Sequence, residues 1–177
     1  MKSHSEHKYR YRRIIAETED VSVFRQIRLR ALKDSPHAFM SSYDSARARP
    51  WSSWKEQVEA SATGRERITC LCFEGGHAVG IAALYASGQA DPSMGEVIQV
   101  WVDPQHRQNG IARHLMLMLT EWAHTHGYSQ LYATIHKENA EVLPFYNALG
   151  FLLDAEATVQ APERDLIIRK ILDNRIS

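Results

Sequence analysis

The stretch from Val100 to Arg113, VWVDPQHRQNGIAR, constrains this chain more than any other. A β-branched run stops at Asp103-Pro104, crosses a polar loop and passes through Gly110 into an amphipathic segment. That segment places Ile111, Leu115, Met118, Leu119 and Trp122 on one helical face. The strand–loop–helix unit so dictated brings free backbone N–H groups and a helix N-terminus to one point. The first turn of a helix has unpaired donors and a partial positive charge, so such a point attracts anions. Gly110, and the small Ala112 two residues on, allow a ligand close to the main chain. Arg107 and Arg113 add charge at either end. The expected site is a pyrophosphate cradle made by the main chain of Gln108, Asn109, Gly110, Ile111, Ala112 and Arg113.

Spacing selects the kind of cradle. Neither G-x-x-x-x-G-K-[ST] nor G-x-G-x-x-G occurs, which excludes a P-loop and a dinucleotide fingerprint. What stands here is Arg107-x-x-Gly110-x-Ala112, which resembles the acyl-CoA loop [QR]-x-x-G-x-[GA] of the GNAT N-acetyltransferases. A second segment, NAEVLPFYNALGF from Asn139 to Phe151, is similar to the N-x-x-x-x-x-F-Y-x-x-x-G-F segment of the same family. The resemblance implies an α/β (α+β) fold, a mixed central β-sheet flanked by helices, and acetyl-CoA as co-substrate without a metal. It implies that the pantetheine arm runs beside Val100, Trp101 and Val102, with main-chain groups of Val100 and Val102 facing the thioester and an amide. It also implies a contact from Asn139 to that arm and a general-acid role for Tyr146. Asn139 has a structural reading too, as a helix N-cap.

The coarse reading of the chain agrees with that fold. Strands are expected over 11–16, 67–74, 79–86, 96–102, 130–135, 151–157 and 166–172, and helices over 18–33, 51–60, 110–126 and 139–149. The order is β-α-α-β-β-β-α-β-α-β-β. Thr18 or Asp20 is the expected cap of the first helix, residues 34–50 a connection, and Gly75-Gly76 a hairpin turn. Residues 1–8 read as a flexible tail and 9–177 as one domain, a size that can bury a sizeable core.

Composition removes other classes. Twenty-one basic side chains balance 21 acidic ones, so no general attraction to nucleic acid or an anionic membrane is expected. No apolar run reaches a membrane span, and Met1 to Arg13 lacks the apolar core of a secretory signal. A cytoplasmic location is the expectation, with a homodimer left open. Cys70 and Cys72, the only cysteines, share a strand face and point in parallel, poor geometry for a mutual disulfide. They read as buried core residues.

Acetyl transfer to an amine needs a neutral nucleophile and a proton for the departing thiolate. A lysine-like amine of pKa about 10.4 is only roughly one part in 2500 neutral at pH 7, so a base is useful. Glu96 aligns with the base glutamate of the family's histone acetyltransferase branch. Four strand residues, roughly 13 Å, separate it from Val100, so it reaches the site only across a bulge or through water. Phe39, Tyr43, Arg47, Arg49, Trp51 and Trp54 are the expected acceptor wall, aromatic and basic, and suited to an amine beside a carboxylate, as in an amino acid or peptide. The reading from a different class is a silent acyl-CoA-binding sensor.

Overall fold

The structure, a computed structural model, describes residues 8–87 and 91–172. Seven strands form one sheet in the order β1-β2-β3-β4-β5-β7-β6. These are β1 (Tyr9–Arg13), β2 (Arg67–Glu74), β3 (His77–Ala86), β4 (Met94–Val102), β5 (Gln130–His136), β6 (Leu152–Leu153) and β7 (Asp165–Ile171). All neighbours run antiparallel except β4 and β5. Helices cover both faces, and β2 shows what that requires. Its six central residues are all buried, with Cys70 and Cys72 turned to one core and Leu71 and Phe73 to the other. Both thiols are free, as their shared face dictates.

On the first face lies α4 (Ile111–Thr125), with Ile111, Leu115, Leu119 and Trp122 buried. It docks closely because β3 offers Gly80, where a Cβ would stand 2.7 Å from the Ile111 methyl. The short α5 (Leu143–Ala148) joins the same core through Tyr146. On the second face lie α1 (Thr18–Asp34), α2 (Tyr43–Arg47) and α3 (Trp51–Thr63), packed around Phe24, Ile27 and Trp54.

Several expectations shift. Strand β1 starts and ends earlier than 11–16, because Arg13 turns inward to the carbonyls of Ser61, Gly64 and Arg67 and closes the strand. The N-cap of α1 is Glu17 without a side-chain bond. Asp20 instead accepts from Arg12 and the Ile15 N–H, tying α1 to β1. The expected strand 151–157 is two residues of β6 followed by α6 (Ala155–Gln160), because Asp154 caps the Ala157 N–H and the good helix formers after it propagate. The connection 34–50 contains α2, begun by Ser42 accepting from Ser45 N–H. Of the expected tail, residues 1–7 lie outside the described residues; Lys8 pairs with Glu74 at 3.1 Å.

Strands β4 and β5 pair only over Met94–Glu96 and Gln130–Tyr132. Beyond that they part, and the cause is local. Ala83 opposes Ile98 and Ile81 opposes Trp101, so β4 carries one residue more than β3 across this interval. Gln99 sits at that bulge with φ +58°, a rare conformation for a residue other than glycine. The bulge bends β4 away from β5 and opens a slit in the sheet.

Candidate active site

The slit widens into a cleft of about 760 Å³. At its mouth the chain after β4 makes a 3-10 turn (Pro104–His106), then Gln108 at φ +64° and Gly110 at φ +75°, before α4 begins. Two left-handed residues thus stand in one exposed loop just before a helix N-terminus. Among the described residues, the N–H groups from Gln108 to Arg113 have no backbone acceptor. A Cβ at Gly110 would meet nothing within 4 Å, so the space over the loop is open.

The sequence-predicted residues converge here with one exception. Glu96, Val100, Trp101, Val102, Arg107, Gln108, Gly110, Ile111, Ala112, Arg113, Asn139 and Tyr146 all line the cleft. Asn109 does not: its side chain folds back to the carbonyls of His106 and Arg107 and braces the loop. Asn139 faces the cleft but caps no helix. It lies inside a 3-10 turn over 137–142 with φ −111°, and Val142 stands at the N-cap of α5, where Pro144 sits in the first turn. Trp101 contributes main chain only, since its indole is buried in the core of the second face, with Arg30 of α1 over its ring, and donates to Asp34.

Arg107 departs further from expectation. Its guanidinium donates to the Val102 carbonyl at 3.0 Å and to Asp34 at 2.7 Å, so it straps the loop to the end of α1. Arg30 of α1 makes a second strap, to Asp103 and the Ala78 carbonyl. Burial alone would raise the Asp34 carboxyl. Bonds from Ser35, Trp101 and Arg107 outweigh it and hold the group below its usual range. Arg113, at the start of α4, lines the cleft, is exposed and has no ion pair among the described residues.

Deeper in, the sheet register builds a row that sequence reasoning could not see. Arg67 opposes Tyr85, Tyr85 opposes Glu96, and Glu96 opposes Tyr132, so four strands present these side chains on one face. Both phenols donate to Glu96 Oε2, at 2.6 Å from Tyr85 and 3.1 Å from Tyr132. Among the described residues Oε1 accepts nothing, and it remains for a ligand or water. Burial, and then the neighbouring carboxylate, push the Tyr85 phenol up to about 12 and Tyr132 higher still. Both therefore stay donors. His136 also lines the cleft and is bonded through Nδ1 to the buried Asp165 at 2.6 Å.

Tyr146 is 7% exposed and packs edge-on against Phe145 and Phe151. Its hydroxyl has no protein hydrogen-bond partner among the described residues, and desolvation raises its pKa. The expected acceptor wall needs correction. Phe39 lines the cleft, but Tyr43, Arg47, Arg49, Trp51 and Trp54 do not. Trp54 is a core residue of α3, and Arg49 lies over its ring at 3.9 Å. In place of the expected residues the wall holds Arg28, Arg67 and Tyr85.

The model of the acetyltransferase (GNAT) family matches residues 28–151, which span β4, the cradle and α5. The chain belongs to this family. Solved structures share its fold at low identity. An acetyltransferase of the GNAT family from Streptococcus pneumoniae aligns with TM-score 0.78 at 17% identity, covering 93% of this chain and 99% of its own. The PaiA N-acetyltransferase from Thermoplasma acidophilum, in complex with coenzyme A, aligns with TM-score 0.74 at 15% identity, with coverage 93% and 99%. YncA from Salmonella typhimurium, with its cofactor acetyl-CoA, gives TM-score 0.74 at 20% identity and 96% coverage of both chains. No curated protein sequence matches the chain. Among the described residues no cluster of metal-ligating side chains occurs, and no helix is long and apolar enough to cross a membrane.

Proposed function

We propose that this acetyltransferase transfers the acetyl group of acetyl-CoA directly to a primary amine of a small molecule, amino acid or peptide. The observation that carries the reading is convergence: the cradle, the open edge of β4, Glu96 and Tyr146 share one cleft. The residues fit the co-substrate. The unpaired N–H groups of the loop and Arg113 suit a pyrophosphate, and the parted edge of Ile98–Val102 suits an amide-bearing arm. Acetyl-CoA supplies an activated carbonyl with a thiolate leaving group. The acceptor nitrogen bonds to the acetyl carbon as the C–S bond breaks; one proton leaves the nitrogen and one joins the sulfur. Glu96, with Oε1 unengaged, takes the first proton directly or through water, and Tyr146 offers its phenol to the sulfur. The bulge at Gln99 supports the Glu96 role, since it shortens the strand path that a regular β4 would impose.

Turnover is favoured over a silent sensor because Glu96 Oε1 and the Tyr146 phenol, a candidate base and a candidate acid, line the same cleft. The two free thiols suit a cytoplasmic enzyme. The test is release of CoA, read with a thiol reagent, across an amine panel. Acceptor-dependent release supports the reading; tight CoA binding with no release from any amine returns the protein to the sensor class.

A further inference from the structure

Every buried carboxylate among the described residues has a cation beside it: Asp20 has Arg12, and Asp165 has Arg164 at 3.8 Å. One group of cations has no such partner. Arg28 of α1 is 5% exposed and lines the cleft. Its Nη1 is buried without a hydrogen-bond partner, and the Phe39 ring lies 4.9 Å from its guanidinium carbon. Arg67, at the start of β2, lines the same cleft above the Tyr85 ring. Arg49 stands close behind, and its charge adds to burial in pushing Arg28 down to about 10. Arg67 in turn depresses Arg49 after burial does. Among the described residues, none of the three forms an ion pair. Arg49 satisfies itself on Ser53 and Gln57; Arg28 and Arg67 do not.

A buried guanidinium beside like charges is tolerated where an anion completes it, and its planar fork matches a carboxylate. We infer that Arg28 and Arg67 form the subsite for a carboxylate of the acceptor, which makes the acceptor a small amine of amino-acid type. This rests on the N-acetyltransferase reading and narrows it. The register supports the pairing. Arg67 and Glu96 stand two strands apart in one row, about 10 Å at the usual strand spacing. An amino acid hydrogen-bonded at both ends fills a span of that order, its carboxylate on the arginines and its amine toward Glu96 Oε1. Phe39 and Met40 on the same wall leave an apolar surface for its side chain.

The experiment uses the whole protein and matched pairs: the twenty common L-amino acids and their C-terminal amides, with CoA release as readout. The acids are expected to exceed their amides by at least tenfold in kcat/KM. Arg28→Met and, as a second variant at a less buried site, Arg67→Gln should erase that preference by raising KM for the acid tenfold or more. CoA affinity by calorimetry should stay unchanged in both. Amides that serve as well as acids, or a preference that survives in both folded variants, overturn the subsite. If the parent binds CoA but acetylates no amine, the enzymatic reading fails, and the subsite is judged by calorimetry of the same acids into CoA-loaded protein. Binding lost in Arg67→Gln then supports it, and no binding by the parent overturns it.

Discussion

Tyr146 shows how a single environment sets the size of an effect. Desolvation moves its phenol further above the pKa of a thiol, about 8.5, so full transfer of its proton is more uphill than for an exposed tyrosine. In the proposed reaction its contribution would be mainly a hydrogen bond to charge developing on sulfur, the kind of donor worth about 10²-fold in rate. Tyr146→Phe keeps the ring between Phe145 and Phe151, and steady-state assays should show kcat falling about 10²-fold with CoA affinity and melting temperature held. A loss under threefold would leave Tyr146 as packing. Glu96 is the complementary case. Glu96→Gln preserves an acceptor for both tyrosines and removes the proposed base, so kcat/KM should drop about 10²-fold near neutral pH. The deficit should close as the pH rises toward the pKa of the amine, which then arrives neutral. Profiles of parent and variant that overlay across this limb would assign the base elsewhere, and His136 on Asp165 is the next group to examine.

At the scale of elements, the loop before α4 was the most legible part of the chain and the acceptor wall the least. The loop is local: an Asp-Pro stop, a glycine and an amphipathic helix write its geometry into fourteen consecutive residues. For the same reason its test is clean. Gly110→Glu adds a side chain into open space, so the fold should survive a modest left-handed strain of about 1 kcal/mol. The added charge faces the phosphates, and calorimetry should find CoA affinity reduced about a hundredfold. Gly110→Ala, with the strain but no charge, should lose far less. The row of Arg67, Tyr85, Glu96 and Tyr132 could not be read in advance, because it depends on register between strands up to 36 residues apart. Arg28 carried no signal in the sequence, since its burial, with the Phe39 ring beside it, comes from tertiary packing. The late strand failed for a local reason, the Asp154 cap, which a search for S/T/D/N before helix formers would have found. The Arg107 strap was illegible for a nonlocal one, since Asp34 lies 73 residues away.

Across the whole molecule, α1 on the second face is fastened to the sheet and the loop by carboxylates as well as by packing. Asp20 joins α1 to β1, while Asp34 and Asp103 join it to the cradle. In each, burial would raise the carboxyl, and bonds from arginine, tryptophan or backbone N–H outweigh it, leaving the folded value below 3.8. A depressed folded pKa gives stability that is fully present above 3.8 and lost as the pH falls through the folded value. Urea unfolding should therefore show an acid limb beginning below pH 4. Asp20→Asn should cost about 2–3 kcal/mol at pH 7 and flatten that limb. An unchanged limb would move the acid sensitivity to other groups. The slit has its own consequence at this scale. A sheet normally has its open edges on the outside, managed against unwanted pairing, whereas this one carries an edge in its interior, flanked by folded strands on both sides. Amides of β4 that point into the slit should exchange with solvent faster than those bonded to β3. An amide-bearing ligand that enters would be the missing rung, slowing that exchange and stabilising the fold by mass action, by about 2.7 kcal/mol at a hundred times its Kd, with a higher melting temperature as the readout. In that sense the protein folds one strand short, and a ligand paired along β4 would finish the sheet.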